Sequence, residues 1–189
     1  MRHLSHLGSV VLLTAAWLSS PAAAATLIAM DLSELVRSSE HVVLAKAGAR
    51  TSRKAPKSGL IVTDVQLRVA TSLKGKSKAG QTLVVTLLGG SIGDLALRVP
   101  GEASLPENQT AIVFLRRNQV GELNVTGMSQ GVMQVRGDGD AALVMPGGVD
   151  AELVQHNDDG RLRPAPDALM QPMPMPTLIS EIRRLAEQK

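Results

Sequence analysis

The chain of 189 residues has no cysteine and no tyrosine, one tryptophan and one phenylalanine. Without cysteine there is no disulfide, no thiolate metal site, no thiol nucleophile and no cysteine-linked lipid or haem. Trp17 falls in an N-terminal apolar run, which leaves Phe114 as the one ring in the remainder. Stacking platforms for sugars or single-stranded bases need several rings, so nucleic acid is not an expected partner. Long apolar runs are also missing: beyond residue 24 none approaches the roughly 18 residues a membrane helix requires, and no transmembrane segment is expected after processing.

At the N-terminus Arg2 precedes the apolar run Val10–Leu18, which leads into the small-residue stretch PAAAA. A charged start, a short apolar centre and small residues before a cut site describe a secretory signal peptide, with cleavage expected near Ala24 or Ala25. The expected location is therefore the periplasm or the medium. The roughly 165 residues that follow are enough for a single core without covalent staples.

Charge is unevenly spread. Between His41 and Gly80 lie Lys46, Arg50, Arg53, Lys54, Lys57, Arg68, Lys74, Lys76 and Lys78 against Asp64 alone, whereas Gly137–Gly160 carries only acids. Clusters of this kind are usually solvated loops and strand faces, and their functional reading is contact with an anionic envelope surface or an acidic partner.

Periodicity predicts a mainly β chain. Asp31 followed by Glu34 is a helix-capping pattern, and Leu32, Leu35 and Val36 give Asp31–Ser39 an apolar stripe. The segment His41–Ala49 reads as a strand. In Leu60–Val69, Ile61, Thr63, Val65, Leu67 and Val69 fall on one face and Val62, Asp64, Gln66 and Arg68 on the other, the pattern of an antiparallel strand with one wet side. Further strands are expected at Gln81–Leu88, Thr110–Leu115, Leu123–Thr126, Val132–Val135 and Ala141–Met145. Leu178, Ile179, Ile182 and Leu185 give a C-terminal amphipathic helix. The expected fold is a small antiparallel, OB-like barrel with short N- and C-terminal helices. Its parts are a signal peptide (1–24), the barrel-like domain (25–146), an acidic linker rich in proline and glycine (147–176) and the helix (177–189).

The series DLSELVRSSEHVVLAKA, IVTDVQLRVATSLKG, VVTLLGGSIGDLALRVPG, AIVFLRR and VTGMSQGVMQVR resembles a family of uncharacterised secreted bacterial proteins over about Asp31–Arg136. That resemblance implies secretion and this order of elements, and assigns no activity. The strand layout is in turn similar to the netrin-like, TIMP-type OB barrel, an analogy of architecture. The inhibitory edge of TIMP-type modules depends on an N-terminal cysteine, which this chain lacks.

Gly89-Gly90-Ser91-Ile92-Gly93 spells the G-x-S-x-G of a hydrolase nucleophile elbow, and His156 lies downstream beyond Asp140 and Asp150 in a matching triad order. An elbow needs a helix directly after the serine. The sequence there, DLALRVPGEASLPEN, has two prolines and no helical period, so the preferred reading is a glycine-rich loop. Ser91 and His156 remain the catalytic pair of the alternative, a serine hydrolase. The loop Gly89–Asn108 is long and holds Ile92, Leu95, Leu97 and Val99, apolar residues that a solvated loop does not need; these are the candidate binding residues. Gly75-Lys76-Ser77 lacks the earlier glycine of a phosphate loop and reads as a turn. The acids of DGD and HNDDG lack the full pattern of a calcium loop and read as turns as well. No metal or other cofactor is expected. The functional expectation is a non-catalytic binding or envelope-associated protein whose partner is an envelope or secreted protein.

Overall fold

The computed structural model of the chain describes residues 25–148, 150–165 and 170–188. The signal-peptide expectation for residues 1–24 lies outside the described residues.

The barrel grows from two long strands, β2 (His41–Lys54) and β3 (Ile61–Lys74). Val43, Ala45 and Ala47 of β2 and Val65, Leu67 and Val69 of β3 are buried, whereas Lys46, Gln66 and Arg68 between them are exposed. A period of two puts the first set on one face of the pleat, and burying that face closes the sheet around it. β4 (Thr82–Leu88) runs antiparallel to β3 from Val62↔Leu88 to Arg68↔Thr82. On the other side β7 (Thr110–Arg117) runs antiparallel to β2 from His41↔Leu115 to Lys46↔Thr110. β8 (Leu123–Val125) pairs antiparallel with β7 and meets β4 in parallel at Val85↔Leu123. The circuit β7–β2–β3–β4–β8 therefore returns to β7, giving the small β-barrel expected. Its last seam is thin: one parallel register pair, supplemented by Asn124 Nδ2, which donates to the Thr86 carbonyl at 2.6 Å. Val65, Leu67, Val85, Leu105, Val113 and Leu115 fill the interior.

A second core lies outside the barrel wall. β9 (Val132–Arg136), β10 (Leu143–Pro146) and the two-residue β13 (Met173–Pro174) extend the sheet beyond β7. Two helices, α1 (Leu32–Ser38) and α2 (Met175–Glu187), pack on the outer face of this extension. α1 opens with a capping box: Asp31 Oδ1 accepts from the Glu34 N–H at 2.7 Å, and Glu34 Oε2 accepts from the Asp31 N–H at 3.0 Å. At its other end Lys74 Nζ donates to the Val36 carbonyl at 2.6 Å, a cation placed where the helix dipole is negative. Leu178 and Ile182 of α2 are fully buried against Phe114, Ile112 and Val42, so the C-terminal helix docks on the barrel's own wall.

Residues 147–176, expected as an acidic linker, carry among the described residues β11 (Glu152–His156), β12 (Leu162–Pro164) and β13. β11 pairs in parallel with β1 (Thr26–Ile28) and antiparallel with β12, forming a small separate sheet. Leu153, Val154 and Ala165 are buried there, which holds this acidic, proline-rich stretch against the body. β2 also runs further than expected, through Lys54, so that the polar turn is confined to Ala55–Leu60.

Candidate functional site at the barrel mouth

The glycines of Gly89-Gly90-Ser91-Ile92-Gly93 each answer a backbone demand. Gly89 has φ +91°, and a Cβ there would lie 2.6 Å from the Leu97 carbonyl oxygen. At Gly90 (φ +134°) a Cβ would lie 2.2 Å from Thr63 Oγ1 and 2.6 Å from Ser52 Oγ. Those two hydroxyls share a hydrogen bond of 3.0 Å, and Thr63 Oγ1 donates to the Gly89 carbonyl at 2.7 Å. Gly93 (φ +55°) faces open space and belongs to the tight turn with Asp94 between β5 (Gly90–Ile92) and β6 (Leu95–Leu97). The loop thus contains a two-stranded hairpin rooted on β2 and β3 through hydroxyl contacts.

Ser91 is exposed on β5 opposite Ala96, and the element after it is a strand. His156 ends β11 and lines a different cleft, with Ile28, Asp31 and Glu34. No hydrogen bond joins it to Ser91, and Asp150 is engaged by Arg98 in an exposed ion pair. The structure does not bring the residues of the hydrolase alternative together.

It does assemble the apolar set. Ile92 stands opposite Leu95 and Gly90 opposite Leu97, so Ile92, Leu95 and Leu97 share one face of the hairpin. Leu95 is 58% exposed, while Ile92, Leu97 and Val99 are half-buried. Leu88 at the end of β4 and Leu60 before β3 are exposed at the same end of the barrel.

Beneath the hairpin lies a cleft of about 500 Å³, walled by Ser91, Leu97, Val99, Thr63, Arg50 and Glu102. The half-buried Glu102 carboxylate accepts from the Ala103 N–H at 2.8 Å and from the Leu88 N–H at 3.0 Å. Burial pushes its pKa above the ordinary carboxylate range, against the pull of those two N–H groups. Neither Glu102 nor Arg50 belongs to a sequence motif, and their convergence on the cleft depends on how the loop folds back.

A second polar cluster sits on the outer wall. Arg53 Nε and a terminal guanidinium nitrogen donate to the two oxygens of Asp64 at 2.7 and 3.2 Å, and the same terminal nitrogen donates to Glu122 at 2.8 Å. Thr86 Oγ1 donates to Asp64 at 2.8 Å. Burial raises the Asp64 pKa, but the Arg53 and Thr86 hydrogen bonds outweigh it and the net shift is downward; the hydrogen bonds to Asp64 and Glu122 raise Arg53. Arg53 bridges the two carboxylates, and the cluster clamps β2, β3, β4 and the β7–β8 turn.

The turn holding Gly75-Lys76-Ser77 is pinned by a 2.9 Å hydrogen bond between Ser77 Oγ and His41 Nδ1. Among the described residues no group of three or more histidine, aspartate or glutamate side chains is placed to hold a metal ion. No described helix is long and apolar enough to cross a membrane. Comparison of the chain with protein-family models, with curated proteins and with solved structures returned no match.

Proposed function

We propose that this chain is an exported, non-catalytic binding module of the periplasm or medium that engages an envelope or secreted protein through the hairpin at its barrel mouth. The observation that carries this reading is the presentation of Leu95 and Ile92. They stand side by side on a short hairpin whose root is fixed by Gly89 and Gly90, and Leu95 is left largely in water. A rigid scaffold holding an apolar tip is a common recognition arrangement. Export rests on the N-terminal charge, apolar run and alanines. The secreted bacterial family and the netrin-like layout remain part of the proposal as analogies of architecture.

The alternative, a serine hydrolase using Ser91 and His156, draws no support from the geometry, since the two side chains line different clefts. The test is a photocrosslinking residue at position 95, compared with the same residue at Lys57 in the β2–β3 turn, in cells that export the protein. A discrete adduct from position 95 only is expected. Equal adducts from both positions, or none from either, would remove the reading's basis.

A further inference from the structure

Arg50 reaches the cleft because of an irregularity in the ladder. From Val43 to Ala47 the side chains of β2 alternate, with Val43, Ala45 and Ala47 inward and Lys46 outward, and the two earlier register shifts of the ladder place their extra residue on β3. The register then passes from Ala47↔Leu67 to Arg50↔Val65, so β2 uses three steps where β3 uses two. This is a β-bulge at Gly48–Ala49, and a bulge re-aims the side chains that follow it. Uninterrupted alternation would leave Arg50 on the outer face with Lys46. The bulge instead sets it opposite Val65, whose side chain is fully buried in the barrel, and so directs the guanidinium to the barrel mouth.

At the mouth Arg50 is uncommitted. Arg98 is neutralised by Asp150, and Arg53 by Asp64 and Glu122, but among the described residues no ion pair or hydrogen bond reaches the Arg50 side chain. The exposed hydroxyls of Ser91 and Ser104, which also line the cleft, are equally without partners among the described residues. Glu102 is tied to two backbone N–H groups. The cleft therefore offers one free guanidinium, two free hydroxyls and an apolar wall of Leu87, Leu97 and Val99.

We infer that this cleft binds the C-terminal residue of a partner polypeptide, with Arg50 and the two serine hydroxyls on the terminal carboxylate and an apolar side chain against Leu87, Leu97 and Val99. A guanidinium fork matches a carboxylate in two parallel hydrogen bonds. A dianionic phosphate fits less well, because its second charge would meet Glu102 and Asp150 without a second free cation. A volume of about 500 Å³ suits a terminal residue and its neighbour, within the usual range for small-ligand sites. Leu97 lines the cleft and shares its hairpin face with the exposed Leu95, which continues the apolar surface for the rest of the bound segment. This inference rests on the barrel mouth being the binding end.

The experiment titrates isotope-labelled protein with N-acetyl-Ala-Leu as the free acid, with its C-terminal amide and with inorganic phosphate, following the Arg50 Nε–H and the amides of Gly89–Ser91. The free acid should shift these signals saturably and the amide should bind about tenfold more weakly or worse. Arg50→Gln should weaken the acid by about the same factor and the amide by much less, and Arg50→Lys should fall between. Melting curves show whether each variant folds. Equal binding of acid and amide, or acid affinity indifferent to Arg50→Gln, overturns the inference, as does phosphate binding as tightly as the acid. Absence of binding by the acid overturns it too, yet leaves the hairpin reading standing, because crosslinking from position 95 does not need the cleft.

Discussion

Replacing Gly90 with alanine tests why the glycine-rich stretch has its composition. The added Cβ would sit 2.2 Å from Thr63 Oγ1, where an ordinary contact begins near 3.4 Å, so the Thr63 side chain must retreat by about 1 Å. Thr63 is buried and β-branched, and has little freedom to turn. Its retreat breaks the hydrogen bond to the Gly89 carbonyl and the bond shared with Ser52. Each is worth about 1 kcal/mol, and an orphaned buried carbonyl adds about 1–3 kcal/mol. Holding alanine at φ +134° costs about 1–3 kcal/mol more. Allowing for partial relaxation, the total is about 3–5 kcal/mol, a fall in Tm on the order of 10 °C for a chain of this size. Gly93→Ala is the control: its φ is +55° with no atom within 4 Å, so it should cost about 1 kcal/mol. Thermal melts of the two variants decide the matter. Equal losses would refute the packing argument, and so would a Thr63→Ala, Gly90→Ala double variant whose losses simply add.

Three other outcomes follow from the same geometry. The Asp64 carboxyl is held below its ordinary pKa, so its contribution is present above the unfolded value of about 3.9 and is lost as pH falls through the folded value; Asp64→Asn should cost about 1–3 kcal/mol near neutrality, and the gap between wild type and variant should narrow steadily in melts as pH falls below about 3.9. Ile182→Ala should cost about 2–5 kcal/mol in denaturant unfolding, because that side chain is fully buried beneath α2; a cost under 1 kcal/mol would mean the helix is not docked. Ser91 is exposed, so Ser91→Ala should change stability by no more than about 0.5 kcal/mol, and a fluorophosphonate should leave the protein unlabelled; labelling of Ser91 that disappears in His156→Ala would transfer the argument to the hydrolase.

The regular parts of the fold were readable wherever a local pattern determined them. The five residues Ile61, Thr63, Val65, Leu67 and Val69 are buried as their alternation predicts, and Asp31 and Glu34 form the capping box their spacing suggests. Val62 is the exception on β3: it is buried although it belongs to the wet face. Parts that depend on distant partners were not readable. β11 is a strand because β1 lies beside it, and that parallel partner comes from the opposite end of the chain. Phe114, in a strand expected to fill the barrel, points instead into the second core beneath the helices. In the candidate site the apolar residues Ile92, Leu95, Leu97 and Val99 were visible as an excess in a loop, but their hairpin was hidden by glycines that spell a catalytic motif. Arg50 was hidden for a different reason. A bulge has no reliable sequence signature, and one extra residue decides which face a cation takes.

The central claim, that the barrel mouth is a binding end and its hairpin the contacting element, is tested most directly by replacing Ile92–Leu97 with a glycine-serine stretch of equal length. Gly89, Gly90 and the barrel ladders are kept, and a flexible loop of the same length changes closure cost by well under about 1 kcal/mol. Tm and in-cell crosslinking from a reporter at Leu60, exposed at the same end, are then read together. The account predicts a Tm within a few degrees of wild type, at about 2–4 °C per kcal/mol, and loss of the adduct. An adduct that persists with Tm unchanged would contradict the claim, and a steep fall in Tm would show the hairpin to be a lid completing the core.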